Sequence, residues 1–263
     1  MLADDTGTGA EGQNFKHKVE GYGLLDARSI LNGHLEVSGF CAIEVMAGEA
    51  TFTFSWLWAK VPAMAPWDLA CGSKCCVLKY GWILFALVRR SVLSFAHMGT
   101  PCQSVTCARY PPLRDAKRPE GLLGLSRRQL DLVLTGNRLF AFSVLLAIEL
   151  YVMGGYFVIE NPDQSYLWLQ PLIVQLSQLV GVGFIRFVMR SYGSLFWKPA
   201  CLLSNFHGLE KMVDVPLCGD AGPPCRGQIE WCGEMHFLTK FTQAYPPAMC
   251  MTYSQIVKRG ELL

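Results

Sequence analysis

A chain of 263 residues with 51% hydrophobic composition can bury a full core, as one large α/β domain or two small ones. Its formal net charge of +2 is too small for bulk electrostatics to name a partner. Eleven cysteines, an odd count, follow an N-terminus with no apolar leader, which points to free thiols and a reducing nuclear or cytoplasmic setting rather than a disulfide framework.

Residues 1–34 are polar, glycine-containing and weakly patterned, and read as a flexible extension to a domain over 35–263. Phe40 to Gly48 is a first buried strand ending at a glycine. Ala50 to Lys60 suits a helix carrying Phe52, Phe54, Trp56 and Trp58, and Val61 to Trp67 a short second strand closed by Asp68. Cys71 to Arg90 reads as a loop and then a helix, and Val92 to Met98 as the strand before a Pro-Cys pair. Ser126 to Met153 is a long helix with Ser126 as its N-cap. Tyr156 to Ile159 is the next strand. Gln164 to Leu179 is helical in pattern, with Pro171 at its start or kinking it. Phe184 to Met189 and Ala200 to Leu203 are two further strands, Val213 to Cys232 is irregular, and Ala248 to Lys258 is a closing helix. Alternating strands and helices predict a doubly wound, mostly parallel Rossmann-like sheet with helices on both faces.

Two apolar runs invite a membrane reading. Leu139 to Ile159 is long enough to span a bilayer, with Glu149 its only charge, but Gly154-Gly155 divides it and Glu160 follows at once. Cys76 to Met98 is broken by Arg89-Arg90. A buried helix, a tight turn and a strand covered on both faces give the same pattern, so no membrane contact is expected.

In a doubly wound sheet ligands bind beyond the carboxyl ends of the strands, where Gly48, Asp68, Cys102 and Glu160 fall. Proline at 101 holds the loop of Cys102 in one geometry, and a cysteine so placed is a candidate nucleophile. A basic stretch follows: Arg109, Arg114, Lys117, Arg118, Arg127 and Arg128 against Asp115 and Glu120, a local surplus of four positive charges suited to phosphates. Cys218, Cys225, Cys232 and His236 offer four zinc ligands, although their six-residue cysteine gaps are not knuckle spacing. Cys71, Cys75 and Cys76 read as core thiols.

These residues, in this order, resemble the DNA cytosine-5 methyltransferases and their degenerate relatives, including domains of mobile-element polyproteins. Thr100-Pro101-Cys102-Gln103-Ser104 is similar to the nucleophile loop of that family, and Glu160-Asn161 to the pair that closes its next strand. Glu44-Val-Met-Ala-Gly48 is similar to its cofactor loop, Asp68 to the acidic residue after the second strand, Tyr192-Gly193 with Lys198 to a later loop-supporting motif, and Ala244-Tyr-Pro246-Pro247 to the closing motif. The likeness runs from Phe40 to Val257 and leaves room for only a reduced target-recognition region, near 205–243.

The resemblance implies binding of S-adenosylmethionine and methylation of cytosine C5 in nucleic acid, DNA more than RNA, by a monomer. Cys102 would attack C6 of a flipped-out base. Glu160 would grip and protonate the ring, Asn161 would hold the loop of Cys102, and Arg109 would contact the base or a phosphate. Glu44, Met46, Gly48, Asp68 and Pro101 would border the cofactor. Gln103, Ser104, Arg114, Arg118 and Lys198 would face the nucleic acid. Two other classes are a catalytically silent nucleic-acid-binding or scaffold domain of the same fold and a multi-span membrane protein. Asn161-Pro162 also opens the Asn-Pro-Pro-aromatic motif of amino-methyltransferases, but Asp163 and Gln164 follow.

Overall fold

The structure is a computed structural model that describes residues 24–34, 39–69, 76–213, 215–216, 222–224, 227–231, 233–237 and 244–261. Its centre is a five-stranded sheet of β1 (Ala42–Val45), β2 (Phe95–Gly99), β3 (Tyr156–Pro162), β4 (Gly183–Val188) and β5 (Pro199–Ser204), in the order β1-β2-β3-β5-β4. β1, β2 and β3 are parallel, and β5 is antiparallel to both β3 and β4. The mostly parallel expectation therefore holds, with one reversed strand inserted near the edge.

Predicted strand 61–67 lies beside β1 but pairs in pieces, through bridges Ala42 to Ala63 and Val45 to Trp67. Pro62 and Pro66 each lack an amide donor, which prevents a continuous ladder. Its hydrogen bonds to β1 survive on either side of Pro66, Met64 N–H to Ala42 O at 2.8 Å and Trp67 N–H to Glu44 O at 2.8 Å.

Strand alternation sorts the core into two layers. Ile43, Val45, Ala96, Met98, Phe157 and Ile159 meet Leu84 and Leu87 of α3 (Trp82–Arg89) and Leu146 and Leu150 of α4 (Arg127–Val152). On the other face Ala42, Phe95, Val158 and Leu202 meet Phe52 and Trp56 of α2 (Thr51–Trp58) and Tyr253 and Val257 of α5 (Pro247–Glu261). Two further short helices, Ala27–Leu31, here α1, and Val77–Tyr80, flank the first layer.

Only the end of the extension expected over 1–34 falls among the described residues. Residues 1–23 lie outside the described ones, whereas α1 follows the Asp26 N-cap and buries Ala27 and Ile30. Ser126 caps α4 in a reciprocal box with Gln129. By length and composition α4 could cross a membrane, but 44% of its apolar window is buried against the protein. The helix expected over 164–179 is split. Residues Tyr166–Leu169 make one 3-10 turn, Gln170 is extended, and Pro171 starts the helix Pro171–Leu176. Proline disfavours a helical residue before it and fits the first helical position, so the break falls where the sequence allows. Within the irregular stretch 213–232 a hairpin begins, β6 (Gln228–Trp231) paired with β7 (Glu234–Phe237).

Candidate functional site

The register of the central strands brings the two predicted motifs together. Gly99 of β2 is the partner of Glu160 of β3, so the Pro101–Cys102 loop leaves the sheet beside the Glu160–Asn161 strand end. Asn161 points to the first core layer, and its Nδ2 donates to Thr100 O at 2.6 Å and to Glu160 O at 3.0 Å. Cys102 O then closes a turn, accepting from Val105 and Thr106 N–H at 3.0 and 2.9 Å. Past β3, Tyr166 N–H donates to Val105 O at 2.9 Å, a second tie on the same loop. Asn161 thus holds the backbone one step ahead of the proline that precedes Cys102.

Asn161→Ala is expected to cost about 2 kcal/mol by removing both donors from a fully buried position. Chemical denaturation checks the magnitude, and amide exchange should quicken across 100–106 before it does in β1.

Cys102 is half-buried and Glu160 is 7% exposed. Burial, then the nearby Glu160 charge, push the Cys102 thiol up, and Lys198 acts against both. Glu160 is likewise pushed up by burial, opposed by Lys198 and by the Tyr245 hydroxyl, which donates to its Oε2 at 2.9 Å. Lys198 stands half-buried just before β5. A carboxyl pushed up by burial, a thiol and a cation thus share one sheet end. That set can donate a proton and form a covalent adduct.

The loop after β1 is turned tightly. Met46, Gly48 and Ala50 all have φ between 52° and 56°, the left-handed region, and two of the three carry a Cβ. Gly48 is exposed, with open space where a Cβ would stand, and its N–H donates to Asp68 Oδ2 at 3.1 Å. This joins the end of β1 to the end of the 61–67 segment. Bare Gly99 allows the loop to close on β2, because a Cβ there would lie 2.9 Å from Met46 O. Pro101 is half-buried at the same sheet end.

Three predicted contact residues are corrected. Glu44 is completely buried and accepts from Thr53 N–H and Oγ1–H, both at 2.7 Å, so it anchors α2 beneath the loop instead of bordering a ligand. Ser104 is 5% exposed, and its Oγ and O both accept from Arg114. Arg114 is itself fully buried, so neither residue faces solvent or a phosphate. Among the others, Gln103 is exposed, and Arg118 is exposed in an ion pair with Asp115 at 3.1 Å. Arg109 is half-buried, and its Nε has no hydrogen-bond partner among the described residues.

Cys71, Cys75, Cys218, Cys225, Cys232 and the His236 side chain lie outside the described residues. Among those described, no group of three or more His, Cys, Asp or Glu side chains is arranged to hold a metal ion.

The sequence reading missed the roles of Tyr245, Arg114 and the Gly136–Asn137 step of α4 that receives it. A tyrosine immediately before Pro246-Pro247 and a Gly-Asn pair inside a long helix were the available signals.

No protein-family model and no curated protein sequence matches this chain. Among solved structures it is similar to a mutant of Spodoptera frugiperda DNMT2, at 15% identity and a TM-score of 0.35. The match covers 71% of this chain and 57% of that one, so the chain spans less than two thirds of that protein.

Proposed function

We propose that this protein is an S-adenosylmethionine-dependent methyltransferase acting on C5 of cytosine in nucleic acid, DNA in preference to RNA, through an adduct on Cys102. The observation that carries this reading is the Asn161 bond to Thr100 O, which fastens the cysteine loop to the strand end bearing Glu160. The sequence order of the two motifs, Thr100 to Ser104 and then Glu160-Asn161, supports it.

Cytosine C5 is a weak nucleophile. Bond formation from the Cys102 sulfur to C6, with the Glu160 proton passing to N3, makes C5 enamine-like. Bound S-adenosylmethionine would supply the electrophilic methyl group to C5, its sulfur keeping the electron pair of the broken sulfur–methyl bond. Loss of the C5 proton to solvent, cleavage of the sulfur–C6 bond and return of the N3 proton to Glu160 restore the ring and free Cys102. Burial pushes Glu160 toward the acid form this needs, while Lys198 acts toward the thiolate against the net upward push on Cys102. Gly48, with open space where a Cβ would stand, and Asp68, whose Oδ2 accepts from Gly48 N–H, are the residues that would hold the cofactor. Gln103, Arg109, Arg118 and Lys198 are the residues left to meet the nucleic acid.

Calorimetric titration with S-adenosylmethionine is expected to saturate, and Asp68→Ala to weaken it about tenfold, the loss of a charged hydrogen bond. Cys102→Ala should bind the cofactor like the parent and transfer no methyl to cytosine-containing DNA. Absence of binding by a folded sample overturns the reading, and so does undiminished transfer by Cys102→Ala. One feature favours a second reading, a catalytically silent nucleic-acid-binding domain: burial and the nearby Glu160 push the Cys102 thiol up, away from the reactive thiolate.

A further inference from the structure

Glu160 has a partner from the far end of the chain. Tyr245, next to the first turn of α5, donates its hydroxyl proton to Glu160 Oε2 at 2.9 Å across a sequence separation of 85 residues. Its ring is held by packing, with its centroid 4.7 Å from that of Phe52 and 5.7 Å, edge-on, from that of His97. β2 leaves the passage open. A Cβ on Gly99 would stand 3.0 Å from the Tyr245 hydroxyl, so glycine at this register position lets the phenol reach across to β3. Behind it, Met249, Cys250, Tyr253 and Val257 bury the inner face of α5.

We propose that Tyr245 is a positioning residue for Glu160: by occupying Oε2 as an acceptor it leaves Oε1 to carry the acidic proton, and it couples that orientation to the docking of α5. A phenol has a single proton, and once that proton is given to Oε2 the carboxyl proton belongs on the other oxygen. Tyr245 keeps its O–H bond throughout. In the proposed reaction the proton that reaches the base leaves Glu160 Oε1 as the sulfur–C6 bond forms and returns to it when that bond breaks. The use of Oε1 rests on the methyltransferase reading, whereas the Tyr245–Glu160 coupling does not. Other titratable groups whose charge acts on this pair are Glu44 from β1, Lys198 before β5 and Cys250 from α5, with Cys102 beside Glu160 and His97 against the tyrosine ring.

Tyr245→Phe keeps the ring and removes only the hydroxyl. Carboxyl-carbon NMR of glutamate-labelled protein, with Glu160→Gln for assignment, reads the Glu160 titration directly. The midpoint is expected to rise by about one pH unit, because a donor to the charged form is lost. An unchanged midpoint overturns the proposal. Near-UV titration of Glu160→Gln gives an independent reading from the other partner, since one tyrosine should ionise at lower pH once its anionic neighbour is gone. A tyrosine titration identical to the parent's overturns it as well. If the parent methylates DNA, Tyr245→Phe should lower kcat about tenfold with KM for the cofactor unchanged. The pH at which kcat is half-maximal should move with the Glu160 midpoint. Should the parent prove inactive while both midpoints move, the methyltransferase reading fails and the coupling stands.

Discussion

Arg114→Met is expected to destabilise the fold by about 3–5 kcal/mol, among the largest effects of any single substitution in this chain. The guanidinium is fully buried, and every hydrogen bond it makes among the described residues goes to a neutral oxygen. Nε donates to Ser104 O at 2.9 Å, and Nη2 to Ser104 Oγ at 3.0 Å and Val133 O at 3.1 Å. Nη1 donates to Pro119 O at 2.6 Å and Asn137 Oδ1 at 2.7 Å. One cation thereby pins both ends of the 104–119 loop to α4. Burial lowers its pKa to about 10 by taking the cation out of water, with the Glu120 charge acting the other way. α4 makes room for it: a Cβ on Gly136 would come within 2.4 Å of Ser104 Oγ and 3.2 Å of Arg114 Nη2.

Methionine matches the length and supplies none of the donors, leaving the Ser104 oxygens buried, and the half-buried Asn137 Oδ1, without this partner. Urea denaturation measures the loss. Because the loop begins at Ser104, the Cys102 thiol should also react faster with a soluble disulfide reagent in the variant at concentrations of denaturant that leave both proteins folded. A loss under 1 kcal/mol would mean that the loop is held by something other than this residue.

Acid stability should be governed by a pair of buried groups that work in opposite senses. Glu44 and His97 are register partners on β1 and β2, and both are fully buried. Burial, with a smaller contribution from the Asp68 charge, raises the Glu44 carboxyl from 4.5 to about 7 against the Thr53 hydrogen bonds. Burial lowers His97 from 6.5 to about 3, where its Nδ1 shares a hydrogen bond with the Tyr253 hydroxyl at 3.0 Å.

Between pH 3 and 6.5 the unfolded chain binds a proton at residue 97 that the native state refuses, so this contribution grows as pH rises and is complete above 6.5. Between pH 4.5 and 7 the native state keeps a proton on Glu44 that the unfolded chain has released, so this contribution is whole below 4.5 and is lost by 7. From 4.5 to 6.5 the two slopes cancel. Glu44→Gln retains the acceptor for Thr53 and removes the proton. Its unfolding free energy should climb relative to the parent by about 1.4 kcal/mol per pH unit across that window. His97→Gln should fall by the same amount. Urea midpoints at pH 4.5, 5.5 and 6.5 test this, and parallel profiles for the two variants would refute the opposition.

Strand ends were legible because an apolar run that stops at a glycine, proline or carboxylate marks where a buried strand meets solvent. Gly48, Asp68, Cys102 and Glu160 all declare themselves this way. Ser126 was legible as a cap because its hydroxyl has a local partner, Gln129, three residues on. Strand direction was not legible. The burial of Pro199–Ser204 is the same whichever way it runs, and only the hairpin from β4 through Tyr192-Gly193 turns it antiparallel. Nor was the fate of Arg114. In a basic stretch every arginine reads as solvated, and its acceptors come from segments separated by up to 23 residues, none of them acidic. Glu44 misled for the same reason. A carboxylate near a glycine loop looks like a ligand contact until α2 is laid over it.

The reversed strand imposes an order on the folding of a chain made from its N-terminus. Among the described strands β4 pairs with β5 alone, which is synthesised after it, and β5 also covers the outer edge of β3. Until residue 204 has emerged, β4 has no place in the sheet and the strand carrying Glu160 is an open edge, the kind that recruits other chains. Even then Glu160 lacks its hydroxyl partner until Tyr245 follows. A ribosome stalled between those two points would hold a nearly complete sheet with an unfinished site, and the chaperone demand of this protein should peak there, not at its first strands.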